Sequence, residues 1–168
     1  MDPLAELAMS AVQEFISKRK VIRPPEVLTP EMSRQAGVFV CLKKGDQLRG
    51  CIGTFMPCCR NIAEETIKNA ICAATEDPRF SLVTKEELPL ITYSVDVLSP
   101  PERISSQKDL DPKKYGVIVV KGRMKGLLLP DLDGVDTVEE QVRIAKMKAG
   151  IGLEENVDIY RFEVRRYH

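Results

Sequence analysis

The chain of 168 residues reads as an α+β protein, a mainly antiparallel sheet flanked by helices. Three observations predict this. Hydrophobic residues recur at helical spacing in three separate segments. Two pairs of β-prone runs are each joined by a tight, glycine-bearing turn. Helices and hairpins mix without the regular strand–helix–strand rhythm of a parallel sheet. The length suits one domain over residues 1–168, with room for a second, smaller lobe.

Leu4, Leu7, Ala8, Ala11, Val12, Phe15 and Ile16 recur at helical spacing in a first helix of about four turns, with Glu6, Gln13, Glu14 and Lys18 between them and the Leu4, Leu7, Ala11 and Phe15 stripe expected on the core. Pro24-Pro25 and Pro30 keep the next stretch extended. Gly37 to Leu42 is apolar and β-prone, Lys44-Gly45-Asp46 supplies a turn, and Gln47 to Ile52 returns as the second strand of a hairpin. Asn61 caps the second helix, with Glu64 as its capping-box partner. That helix must stop before Asp77-Pro78, because the residue preceding proline avoids helical backbone. Thr84 and Glu87 repeat the box for one short turn closed by Pro89.

Ile91, Tyr93, Val95 and Val97 alternate with polar residues, the pattern of a half-exposed strand. Pro100-Pro101 opens a polar loop over Glu102 to Asp111. Gly116–Lys121 and Met124–Leu129 flank the Lys121-Gly122-Arg123 turn as a second hairpin, apolar enough to be covered on both faces. A helix over Thr137–Ala149 ends at Gly150, and Tyr160, Phe162 and Val164 alternate in a last strand. No internal repeat is visible.

Composition narrows the function. Lys plus Arg and Asp plus Glu are 25 each, so no net field draws the chain to nucleic acid or an anionic membrane. Few aromatic residues are present for base stacking, which also argues against a nucleic-acid-modifying role. No apolar run approaches the ~20 residues of a membrane span. Asp2 and Glu6 stand where a secretory signal would be basic. Five cysteines, an odd number without paired spacing, suit a reducing cytoplasm rather than a disulfide framework. Cys58-Cys59 is vicinal rather than spaced for zinc, and glycine-rich phosphate loops are missing. No metal is expected, and the residues assign no cofactor.

The densest chemistry lies in Leu48-Arg49-Gly50-Cys51-Ile52-Gly53, on the return strand of the first hairpin. Gly50 and Gly53 clear space for a close backbone, a ligand or a bulge. In a regular strand Arg49 and Cys51 share a face, and the arginine favours a thiolate, hence a nucleophile or thiol carrier. Against this, a free cysteine is most often a small buried hydrophobe, and the only histidine to serve as a base is His168. Glu76-Asp77-Pro78-Arg79-Phe80 is the second unusual stretch. Asp77 and Arg79 either pin their own turn, or Arg79 converges with Arg49 as a clamp for a small anion with Asp77 orienting one of the guanidiniums.

In this order, the hexapeptide Leu48–Gly53, the Ala-rich helix leading to Asp77, Arg79 and Phe80, and Tyr115-Gly116-Val117 with Gly126-Leu127-Leu128-Leu129-Pro130 resemble the AMMECR domain family, also called AmmeMemoRadiSam system protein A. The likeness runs from about Leu4 to Val164. Two departures stand out: Ser81-Leu82 replaces a proline frequent in the family, and no tryptophan follows Leu-Leu-Leu-Pro. The resemblance implies a two-lobed α+β domain with the hexapeptide near a cleft. It also implies association with Memo-like and radical-SAM proteins as one component of a modification pathway.

Overall fold

The computed structural model describes residues 1–168. In chain order the elements are α1 (Pro3–Lys18), β1 (Val38–Lys44), β2 (Gln47–Thr54), α2 (Ile62–Thr75), β3 (Ile91–Leu98), β4 (Glu102–Ile104), β5 (Gly116–Lys121), β6 (Met124–Leu128), α3 (Val138–Ala149), β7 (Asp158–Phe162) and β8 (Val164–Tyr167). Short 3-10 helices cover Lys85–Leu90 and Gln107–Asp109. No helix is long and apolar enough to cross a membrane.

The strands make two sheets, ordered β2-β1-β3-β8 and β4-β7-β5-β6, and the β1–β2, β1–β3, β4–β7, β5–β6 and β5–β7 pairings are all antiparallel. The chain divides accordingly into one unit of Met1–Val97 with Arg165–His168 and another of Leu98–Val164. The α+β class agrees with the sequence, but two strands were hidden in it. β4 is only three residues long and follows a diproline, so it reads as loop. β7 and β8 read as one alternating strand, yet Glu163 breaks it: its N–H donates to Ser99 Oγ at 2.8 Å and its carbonyl accepts from Ser99 N at 2.9 Å. That one-residue break sends β7 and β8 to different sheets.

In the first unit β1 alternates strictly. Val38, Val40 and Leu42 are fully buried against α1 and α2, while Phe39 and Cys41 point to the opposite, half-buried face. α1 contributes Leu4, Leu7, Ala8, Ala11, Val12 and Ile16 to this core. Phe15 is only partly buried at its margin, with the Arg19 guanidinium 5.5 Å from its ring, so of the expected stripe Phe15 alone lies outside the core. α2 begins as expected, Asn61 accepting from Glu64 N at 2.9 Å, although the Glu64 carboxylate turns to Arg60 instead of closing the box. It stops at Thr75, before Asp77-Pro78.

The two units are built on one motif, a repeat in topology that the sequence does not display. Each has a hairpin, then a helix packed on it, then a third strand beside the hairpin's first strand: β1-β2-α2-β3 and β5-β6-α3-β7. A fourth strand lies beside the third, giving the matching orders β2-β1-β3-β8 and β6-β5-β7-β4. Gly50 of β2 lies opposite Leu42, and Gly126 of β6 lies opposite Val119. A Cβ on Gly50 would collide with the Ala73 carbonyl oxygen of α2, and one on Gly126 with that of Ala145 in α3. In both units a glycine on the outer hairpin strand lets a helix backbone settle directly onto it.

Candidate functional site

Around the Lys44-Gly45-Asp46 turn, Lys44 faces Gln47 and Lys43 faces Leu48, but beyond them Leu42 faces Gly50 and Cys41 faces Cys51. Arg49 faces no residue and is the extra position of a β-bulge. Two consequences follow. The bulge interrupts the alternation that would have put Arg49 and Cys51 on one face. It also moves the register by one residue; in an unbroken ladder Cys41 would face Gly50.

The bulge aims Arg49 at the segment after α2. Its Nε and Nη2 donate to Glu87 Oε1 and Oε2 at 2.8 and 3.0 Å, while Nη1 and Nη2 reach the carbonyls of Ser81 and Leu82 at 2.9 and 3.2 Å. Glu87 is the residue that closes the turn at Thr84, accepting its N–H at 2.9 Å. The Arg49 fork, aided by that N–H, pulls the Glu87 carboxyl down from 4.5 to about 2. The Ser81-Leu82 departure therefore supplies two acceptors through its backbone.

Asp77 follows α2 and is buried, its side chain 2% exposed. Its Oδ2 accepts the Cys51 N–H at 2.9 Å and Arg79 Nη2 at 2.8 Å; its Oδ1 accepts Arg79 Nε at 3.0 Å and Arg79 N at 3.1 Å. The Arg79 guanidinium holds this carboxyl well below the usual carboxylate range, with the Cys51 N–H assisting. Because β2 is an edge strand, the outward N–H of Cys51 has no strand partner, and Asp77 takes that place. Asp77 thus does more than pin its own turn: it ties the end of α2 to the hexapeptide. The Arg79 side chain is 56% exposed, and its Nη1 has no partner in the chain.

Arg49, Gly50, Cys51, Asp77 and Arg79 come together at the β2 edge, and Gly53 lies two residues further along the strand. Both guanidinium carbons are within 6.0 Å of the Phe80 ring centre, so they lie within twice that distance of each other. They are nevertheless held differently, Arg49 buried on Glu87 and Arg79 open to solvent beside Asp77. Gly53 faces Phe39, and a Cβ there would enter the Phe39 ring.

Cys51 is not a free thiol. It is disulfide-bonded to Cys41, which corrects the disulfide-free expectation. The pairing is hidden in the sequence because it depends on the bulge. The two cysteines sit beside Ser94 on the outer face of the sheet, one row from Phe39 and Asp96. Asp96 is buried and bound through both oxygens, at 2.7 Å each, by Arg166. Cys58, Cys59 and Cys72 are free; burial pushes the Cys72 thiol up to about 11 and also raises Cys59.

Sequence reasoning missed four contributors to this region: Cys41, Glu87 as the partner of Arg49, Glu65 and Asn69. Glu65 is fully buried and accepts from Thr54 Oγ1 at 2.7 Å, Cys58 N at 2.9 Å and Cys59 N at 2.8 Å. Asn69, one turn on, donates to the Val38 carbonyl at 2.9 Å and to Thr54 Oγ1 at 3.3 Å. Together they fix the end of β2 and the loop after it. The available signal was two polar residues four apart on an otherwise Ala- and Ile-rich helix face.

The AMMECR1 family profile matches residues 5–167. The chain belongs to the AMMECR1 family. A Thermotoga maritima protein is 54% identical over 168 residues, covering 98% of this chain and 97% of its own length. A Clostridium acetobutylicum protein is 51% identical over 99% of this chain, which spans only 36% of that longer relative. Among solved structures, an uncharacterised protein from Pyrococcus horikoshii superposes with a TM-score of 0.89 at 36% identity, covering 97% of this chain and 88% of its own.

Proposed function

We propose that this AMMECR1-family chain is a binding component of a modification pathway, taking a small anionic ligand or an acidic partner segment at the β2 edge over Leu48–Gly53. One observation carries the reading. Arg79 presents a solvent-open guanidinium edge that a buried Asp77 has already oriented, beside the Phe80 ring 5.4 Å away. A pre-oriented guanidinium loses little rotamer freedom when it grips a carboxylate or phosphate. In this reading Arg79 contacts the ligand, Asp77 orients it, Gly50 and Gly53 give the edge its shape, and Arg49 anchors the strand. Memo-like and radical-SAM proteins are the partners the family resemblance suggests. The Clostridium relative, much longer than this chain, supports action beside other modules.

Native mass spectrometry of protein recovered from cell extract tests this reading. A retained small anion on the parent that is lost in both Arg79→Gln and Arg79→Lys, each read well below its own melting temperature, is the expected result; an adduct insensitive to Arg79 overturns it. A second reading, a thiol-carrying role for Cys51, is favoured by the Cys41 sulfur opposite it. A thiol carrier, unlike a cysteine-protease-like nucleophile, needs no histidine base.

A further inference from the structure

The outer face of the first sheet carries a feature that anion binding does not use. We propose that Cys41 and Cys51 form a reversible thiol–disulfide couple, with Cys51 the sulfur that partners attack and Cys41 the thiol that resolves, exchanging two electrons with a dithiol of another protein. This rests on the thiol-carrier reading of Cys51 and is independent of the anion reading.

Four observations lead there. The bond lies on the half-buried outer face of the sheet, away from the core formed by Val38, Val40 and Leu42. Its two positions face each other only because the ladder bulges at Arg49, and bulges recur where a strand must re-aim a side chain for function. The matching pair in the second unit, Ile118 facing Leu127, lies across a regular ladder and has no bond, so this motif folds without one. The cysteines are ten residues apart in a hairpin whose strands are already paired, and Asp77 anchors the Cys51 backbone independently of the sulfur. A bond that closes so short a loop constrains the unfolded chain less than a long-range bridge does.

The asymmetry follows from strand order. Cys51 is on edge strand β2, whereas Cys41 is on β1, enclosed between β2 and β3. An incoming thiolate attacks Cys51 Sγ; the S–S bond breaks, and Cys41 leaves as a thiolate and takes a proton. The partner's second thiol, losing its proton, then attacks the partner sulfur of the mixed disulfide and releases Cys51, which is protonated in turn. The chain gains two electrons and two protons, and the partner dithiol becomes a disulfide. With an oxidised partner the sequence runs in reverse.

The test uses glutathione and dithiothreitol on the intact chain. Protein is equilibrated at graded reduced-to-oxidised ratios, quenched with a mass-tagged alkylator under denaturing conditions, and weighed whole. Three tags are expected when oxidised, on Cys58, Cys59 and Cys72, and five when reduced, with a reversible step of two. Five tags at every ratio, or three until the protein is unfolded, overturn the proposal. In Cys41→Ser, Cys51 should collect glutathione roughly tenfold faster than Cys41 does in Cys51→Ser, following access to each sulfur. Equal rates overturn the assignment of roles, and should either variant misfold, the parent titration decides alone. Arg79→Gln should leave the two-tag step in place while losing the anion, which separates this proposal from the binding reading.

Discussion

Replacing Arg49 with alanine should destabilise the first unit by about 3 kcal/mol near neutral pH, and the deficit should close as the solution is acidified. The Arg49 and Glu87 side chains are only 12% and 16% exposed, so removing the guanidinium leaves a poorly solvated carboxylate, whereas the Ser81 and Leu82 carbonyls stand on exposed residues and turn to water. Breaking a buried pair by deleting one partner costs ~3–5 kcal/mol; this pair is half-buried, and Glu87 keeps the Thr84 N–H and Lys44 Nζ at 3.6 Å, so the low end applies. The displacement of Glu87 from 4.5 to about 2 bounds the Arg49 share from above at a similar figure, at about 1.4 kcal/mol per unit, since the Thr84 N–H and Lys44 also lower it.

The pH dependence has a definite sign. A carboxyl whose folded pKa lies below its unfolded value stabilises the fold fully above the unfolded value and ceases to do so as pH falls through the folded one. The parent should therefore lose this contribution between pH 4.5 and about 2, and Arg49→Ala should converge on it over that window. Asp77 is also held low, but it titrates in both proteins and cancels in the difference. Urea unfolding at a series of pH values measures the gap, and a double-mutant cycle with Glu87→Gln isolates the coupling. A deficit below about 1 kcal/mol at neutral pH, the level of surface changes, would show that Glu87 does not hold Arg49. A deficit independent of pH would say the same.

Two further outcomes test the packing. Gly50→Ala and Gly126→Ala should each lower stability by ~1–3 kcal/mol in thermal melts, because the new methyl meets a helix carbonyl; Gly53→Ala should cost a similar amount, since its methyl meets Cγ at the base of the Phe39 ring, which ring rotation does not move. Ile16→Ala should cost ~2–5 kcal/mol and Phe15→Ala less, the reverse order returning Phe15 to the core.

Much of the fold is legible in local pattern. The helical stripes, the two glycine turns, the Asn61 cap and the stop before Asp77-Pro78 all depend on residues within a turn or two of one another, and all appear in the structure within a few positions. What the sequence hides are the features decided over a distance or by a single residue. Glu163 splits an alternating run between two sheets, and no local propensity announces that. Arg49 reads as one more strand residue, yet as a bulge it undoes the shared face with Cys51 and brings Cys41 opposite it. Glu87 reads as a cap and is one, but its second role requires Arg49 to arrive from 38 residues away.

The repeated motif separates what the hexapeptide does for the fold from what it adds. Aligned on the glycines that face Leu42 and Val119, Leu48-Arg49-Gly50-Cys51-Ile52-Gly53 corresponds to Met124-Lys125-Gly126-Leu127-Leu128-Leu129. The glycine against the helix carbonyl is common to both, so Gly50 belongs to the architecture. A cation precedes it in both, but Lys125 faces Val120 in an unbroken ladder, whereas Arg49 sits in a bulge and binds Glu87. Leu127 faces Ile118 where Cys51 faces Cys41, and α3 runs out at Ala149 and Gly150 where α2 leads to Asp77 and Arg79. The second unit is thus an internal control: it folds with the glycine and without the bulge, the two thiols or the Asp77–Arg79 pair. Those three additions converge on one edge strand, and that strand is where this AMMECR1 protein departs from what its own fold requires.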